Sequence, residues 1–123
     1  MKTPNLPNET IRDVVIGDDD TIRLTCDNCA IVFEAIGDCC SYSYLRYYDS
    51  MHSAIGKTLE SVNRESVDLN DSHDYAEVNG YDYYSYHRYT FTYTDGTTST
   101  CELVNVSNGY YDGWLDYQVV PLH

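Results

Sequence analysis

The chain alternates apolar and polar residues in short period-two segments, broken by polar turns. "IRDVVI" (11–16) is dense in β-branched residues, and "TIRLTC" (21–26) sets Ile22, Leu24 and Cys26 on one face. "GDDD" (17–20) separates them, so the pair predicts a β-hairpin. After the turn signal Asp27-Asn28, "CAIVFEAI" (29–36) predicts a third strand. Ile31, Phe33 and Ala35 share one face; Ala30, Val32, Glu34 and Ile36 share the other, with both faces partly covered. Gly37-Asp38 ends that strand, and "SYSYLRYY" (41–48) alternates Ser and Tyr as a short strand. "DSMHSAIG" (49–56) breaks the pattern: Asp49 or Ser50 suits a helix cap and Gly56 a stop, which predicts one short helix. "KTLESVNRESVDL" (57–69) places Leu59, Val62 and Val67 without a clean period, and a strand is favoured there.

The polar stretch 70–82 reads as the longest loop. The clearest element follows it. Tyr83, Ser85, His87, Tyr89, Phe91 and Tyr93 lie on one face of a strand, and Tyr84, Tyr86, Arg88, Thr90, Thr92 and Thr94 on the other. Asp95-Gly96 is a strong hairpin signal, so a return strand runs over about 98–106. A turn at 107–113 leads to a last strand, "WLDYQVV" (114–120). The sum is an α+β fold, mostly antiparallel sheet with one short helix; all-β is the alternative. Residues 1–10, with Pro4 and Pro7, read as a flexible arm, and 11–123 as one β-rich domain.

Composition adds two facts. There are 14 tyrosines against 2 phenylalanines and 1 tryptophan, which suits strands that need large side chains with a polar tip. The formal net charge is −13, from 20 acidic and 7 basic side chains. Direct nucleic-acid binding and attraction to anionic membranes are disfavoured, because both need clustered Lys and Arg. A negative field instead steers toward basic surfaces, and it also serves solubility. The first residues carry no apolar leader and no run reaches the length of a membrane span, so a cytoplasmic location with reduced thiols is expected. Five cysteines, an odd number, argue against a closed disulfide framework.

Cys26-x-x-Cys29 has the spacing of a zinc knuckle, and Cys39-Cys40 follows nine residues later. Adjacent residues on an extended chain point to opposite faces, so at most one of Cys39 and Cys40 shares a metal with Cys26 and Cys29. Burial as small apolar thiols is the simpler reading, and no cofactor is expected. A redox or nucleophilic cysteine, such as Cys40 with His52 or His87, is disfavoured by acidic neighbours that hold a thiol protonated. One of Cys39 and Cys40 is expected to be buried, with no disulfide between them. Asp68-x-Asn70-x-Ser72-x-Asp74 starts like a calcium loop. It lacks the glycine at 73 and the bidentate glutamate at 79, so it reads as a solvated acidic loop. On strand 83–94 the Tyr83–Tyr93 face is expected to be core, leaving Tyr84, Tyr86 and Arg88 outside.

"GDCCSYSYL", "AIGKTLESV" and "VSNGYYDGWLDYQV" together resemble a family of small uncharacterised bacteriophage proteins. In that family an Asp-Cys-Cys motif follows a strand, and a Ser-Asn-Gly-Tyr-Tyr turn precedes the last strand. Here these are Asp38-Cys39-Cys40 and Ser107-Asn108-Gly109-Tyr110-Tyr111. The resemblance covers about residues 10–120 and implies a phage origin, hence the cytoplasm of an infected bacterial cell. The family has no assigned activity. Combined with the charge, it suggests a non-enzymatic inhibitor of a host nucleic-acid-binding protein with a basic surface, a defence nuclease or CRISPR effector. Asp18, Asp19, Asp20, Asp68, Asp71, Asp74 and Glu77 would imitate phosphates, with Tyr84 and Tyr86 as anchors. A metal-stabilised module on Cys26, Cys29 and Cys39 or Cys40 is one alternative. A small-ligand binder or Cys/His enzyme is another.

Overall fold

The alternating segments form strands that each bury one face, and together they build two sheets. The structure, a computed structural model, describes residues 6–37, 42–66, 83–107 and 113–122; for 83, 84 and 107 only the backbone is described. In chain order the strands are β1 (Asp13–Ile16), β2 (Thr21–Thr25), β3 (Cys29–Gly37), β4 (Tyr42–Arg46), β5 (Leu59–Ser66), β6 (Tyr83–Tyr93), β7 (Thr98–Ser107) and β8 (Gly113–Pro121). The first sheet has the order β1-β2-β3-β8 and the second β4-β7-β6-β5. The pairings described are all antiparallel.

The connectivity is nested. Strand β3 pairs β8, β4 pairs β7, and β5 pairs β6. In the second sheet β5, β6 and β7 form a meander and β4 lies beside β7, which is a Greek key. The ribbon changes sheet twice, between β3 and β4 and between β7 and β8. At the second change Gly113 is required. A Cβ there would collide with Ser43 Oγ and Asn105 Oδ1 of the second sheet and with the Ile36 carbonyl.

The helix expected at 49–56 is a short 3-10 helix, Asp49–Ala54, without a side-chain cap. With no α-helix among the described residues, the all-β alternative fits better than α+β. The reason is tertiary: Ser50, a candidate cap, is engaged by β7. Its hydroxyl donates to the Thr100 carbonyl (3.1 Å) and accepts from the Thr100 N–H (2.9 Å), while its carbonyl accepts from Ser99 Oγ (2.9 Å). The turn then plugs one end of the sandwich with Met51 and Ala54, both 0 % exposed.

The segment 57–69 lacked a period for a reason visible in β5. The register shifts between Leu59 and Ser61, and the extra residue lets Leu59 and Val62, three apart, both face the core opposite Tyr93 and Phe91. At the β6–β7 hairpin, Gly96 takes a positive φ of 85° and Asp95 accepts a bond from the Thr97 N–H (3.0 Å). The N-terminal segment is docked from Leu6 onward: Leu6 packs against the core, and Gly56 donates to the Ile11 carbonyl (2.8 Å).

Between the sheets lie Ile22, Leu24, Ile31 and Phe33 from one side and Val62, Tyr89, Phe91, Tyr93 and Leu103 from the other. Phe33 meets Phe91 edge-on at 5.0 Å, with Tyr117 at 5.7 Å on the other side of Phe33. The Tyr83–Tyr93 face is thus core where its side chains are described. Phe91→Ala should lower the unfolding free energy by about 3–5 kcal/mol. A double-mutant cycle with Phe33→Ala should return a coupling of about 0.5–1.5 kcal/mol, read from urea unfolding midpoints at unchanged slope.

Candidate functional site

The acidic residues singled out by sequence fall into three groups. Asp18 and Asp19 are exposed in the β1–β2 turn. Asp20 stands in the left-handed region (φ 60°), which aspartate tolerates better than most side chains. Its Oδ1 accepts from the Leu45 N–H (3.1 Å) across the gap between the sheets, and its carbonyl accepts from the Ala35 N–H (3.1 Å). Asp20 is therefore a structural tie. Asp68, Asp71, Asp74 and Glu77 lie outside the described residues, as do Cys39, Cys40 and the Tyr84 side chain.

Two further carboxylates join the turn acids. The register runs Thr21 to Glu34 to Asp116 across β2, β3 and β8. Thr21 donates to Asp19 Oδ1 (2.8 Å), so Asp19, Thr21, Glu34 and Asp116 form a row at one end of the outer face of the first sheet. Glu34 and Asp116 are directly opposite, a like-charge arrangement that disfavours folding. They line a shallow cleft of about 250 Å³ with Val32, Ile36, Tyr117 and Gln118. Trp114, opposite Ile36, is 38 % exposed beside it. Alternation alone put Glu34 on the face opposite Phe33, but its partner on β8 depends on strand order, for which the sequence carries no local signal.

Four of the basic residues are paired with carboxylates in place. Arg12 pairs Asp27 (3.0 Å), Lys57 pairs Asp95 (3.7 Å), Arg88 pairs Glu65 (3.3 Å), and Arg46 pairs Glu102 through its Nε (2.9 Å) and its terminal nitrogen. The Arg46–Glu102 pair is shielded, with side chains 11 % and 8 % exposed. The Arg46 guanidinium also lies 4.7 Å from the ring centres of both Tyr47 and Tyr86. This corrects the expectation for Tyr86. It is 2 % exposed and packs with Val104, Val106 and Tyr44 on the outer face of the second sheet, so it is no exposed anchor. The alternation was right in direction, but the outer face carries its own small cluster. Among the described residues, Tyr42 and Tyr47 are the exposed tyrosines, at 60 % and 54 %.

The cysteines divide similarly. Cys101 is buried between the sheets, and burial followed by the nearby Glu102 pushes its thiol up to about 12. Cys26 and Cys29 close the β2–β3 turn, with the Cys26 N–H on the Cys29 carbonyl (2.8 Å). Burial first, then Cys29 and Glu9, push Cys26 up to about 12; burial and Glu9 raise Cys29 as well. Glu9 accepts the Asn28 N–H through Oε1 (2.9 Å) and turns Oε2 to Cys29 Sγ (3.7 Å). Among the described residues, potential metal-ligating atoms converge only here: those of Glu9, Cys26 and Cys29 all lie within 4.8 Å of one another. Glu9 has no sequence signal for this role, being remote from the Cys-x-x-Cys turn. His52 is exposed and His87 is buried beside Arg64 (3.2 Å).

These environments make two predictions. Glu102→Gln leaves the Arg46 charge shielded without its counter-ion and should cost about 3 kcal/mol in urea unfolding. In the native reduced chain, Cys26 and Cys101 should alkylate at least about tenfold more slowly at pH 8 than after denaturation, as read by peptide mass spectrometry, because their thiolates are scarce and covered.

An uncharacterised protein of Acanthamoeba polyphaga mimivirus is 35 % identical to this chain over 88 residues, covering 69 % of this chain. The match covers 65 % of the mimivirus protein, so the chain spans under two thirds of its relative's length. No protein-family model matches the chain. No solved structure matches it. Among the described residues no helix is long and apolar enough to cross a membrane. The chain thus has a viral relative and a β-rich fold.

Proposed function

We propose that the chain is a small acidic binding protein of viral type. It would occupy a basic, nucleic-acid-binding surface of a host protein and exclude the nucleic acid from it. The observation that carries this reading is the Asp19–Glu34–Asp116 row. Carboxylates stand opposite one another on an exposed sheet face, with Trp114 and Ile36 beside them as apolar anchors. A like-charge cross-strand pair costs folding stability, and a basic partner would convert that cost into binding energy. Arg12, Arg88, Lys57 and Arg46 are held elsewhere, by Asp27, Glu65, Asp95 and Glu102, while Arg23 lies exposed on this face opposite Val32. The raised thiols of Cys26, Cys29 and Cys101 favour binding over cysteine chemistry. The mimivirus relative fits a viral role. Because it comes from a virus of amoebae, the partner is best defined by chemistry, and a bacterial nuclease or CRISPR effector is one member of that class.

The test uses the chain as bait for nucleic-acid-binding proteins of its host. A specific partner should be retained at physiological salt, released as salt rises, and displaced by duplex nucleic acid. Glu34→Gln with Asp116→Asn should weaken retention at least about tenfold while leaving the urea midpoint level or higher, since repulsion is relieved. Retention that ignores both salt and this double substitution would sink the proposal.

A further inference from the structure

The end of the first sheet opposite the acidic row holds a second constellation, independent of any partner. The Cys26-Asp27-Asn28-Cys29 turn has the Cys-x-x-Cys spacing that lets two sulfurs face one ion. Glu9 comes to it from outside the hairpin. The turn is fixed from several directions: Asn28 N–H to Glu9 Oε1 (2.9 Å), Leu122 N–H to the Asn28 carbonyl (3.0 Å) and Arg12 N–H to the Thr25 carbonyl (2.7 Å). Arg12, the basic residue beside it, has its guanidinium on Asp27, so the acid within the turn is engaged by an ion pair.

We infer that Glu9, Cys26 and Cys29 form a binding site for a zinc-class divalent ion, with the fourth position left to water. The geometry is close to what the ion needs. Tetrahedral zinc with ordinary Zn–S and Zn–O bonds holds its ligand atoms about 3.6–3.8 Å apart. The Glu9 oxygen and Cys29 sulfur already stand at 3.7 Å, and all three ligand atoms lie within 4.8 Å. Two sulfurs and one carboxylate oxygen suit zinc; calcium and magnesium take oxygen ligands alone. Three groups that repel when ionised are gathered at a sheltered place, and a divalent cation reverses that repulsion. Binding forms two Zn–S bonds and one Zn–O bond and releases the two thiol protons to solvent. The site would staple the segment before β1 to the β2–β3 turn. It differs from the expectation that Cys39 or Cys40 supplies the third ligand.

Cobalt serves as the probe. The full chain, stripped of metal by chelation and kept reduced, is titrated with Co2+. The expected result is one ion per chain, with thiolate-to-cobalt absorption in the near ultraviolet, the visible bands of a tetrahedral site, and displacement by zinc. Cys26→Ser or Cys29→Ser should abolish the sulfur absorption, while Cys101→Ser retains it. Glu9→Gln, which keeps an acceptor for Asn28, should retain sulfur absorption and weaken binding at least about tenfold. Zinc should also raise the thermal midpoint of the native chain and not of the Cys26→Ser chain, whose circular dichroism confirms that it folds. Absence of sulfur absorption at stoichiometric cobalt overturns the inference. So does absorption that survives loss of both Cys26 and Cys29, including the case where it disappears on loss of Cys39 and Cys40. Neither result bears on the acidic face.

Discussion

Phe33 and Phe91 meet edge to face between the sheets, and this contact decides which side of every strand is inside. With Phe33 inward, period-two geometry sends Ile31 inward and Val32, Glu34 and Ile36 outward. Its partner on β8, Tyr117, must follow it inward, which turns Trp114, Asp116 and Gln118 out. With Phe91 inward, Tyr89 and Tyr93 join it, and Arg88 and Tyr86 take the far side. A one-residue slip in either sheet would bury Glu34 or Arg88 and expose a phenylalanine. Register is therefore held by the cost of that exchange. Both outer faces, the acidic one and the arginine–tyrosine one, inherit their composition from this contact.

The same constraint explains why tyrosine is the common aromatic. A two-layer fold of this size has few positions far from an edge. A large side chain rooted in the core ends near a strand margin, where a polar tip finds a partner. Tyr93 donates from its hydroxyl to Ser99 Oγ (3.0 Å), and the Tyr89 hydroxyl accepts from the Leu115 N–H (2.9 Å). The second bond joins the sheets, since Tyr89 belongs to β6 and Leu115 to β8. Phenylalanine would fill the same volume and leave Leu115 N–H to find another acceptor.

Much of the fold was legible because its strands are short, alternating and bounded by turn residues. Period alone grouped Ile22 with Leu24 and Ile31 with Phe33 on shared faces, and it placed Tyr89 and Phe91 inside. The β5 segment was obscured by its bulge, which changes the spacing of Leu59 and Val62 without leaving a residue signature. The 49–56 segment carried cap-like residues whose hydroxyls serve tertiary contacts, and local propensity has no access to that. The sites were harder still. Glu34 with Asp116, and Glu9 with Cys29, are pairs created by strand order and by the docking of a distant segment. Sequence placed the members of each pair in elements but had no means of bringing them together.

Nested pairing has a consequence for the order in which the molecule can assemble. Strand β3 is made early, yet its neighbour β8 is drawn from residues 113–121. Between them the ribosome must deliver the whole second sheet. Until then β3 presents an open edge rich in Ala30, Ile31, Val32 and Phe33, the kind of edge that pairs with the wrong chain. Long-range closure of this sort is slow compared with hairpin formation. Synthesis rate and chaperone holding, rather than final stability, would then govern how much of this chain reaches its native form.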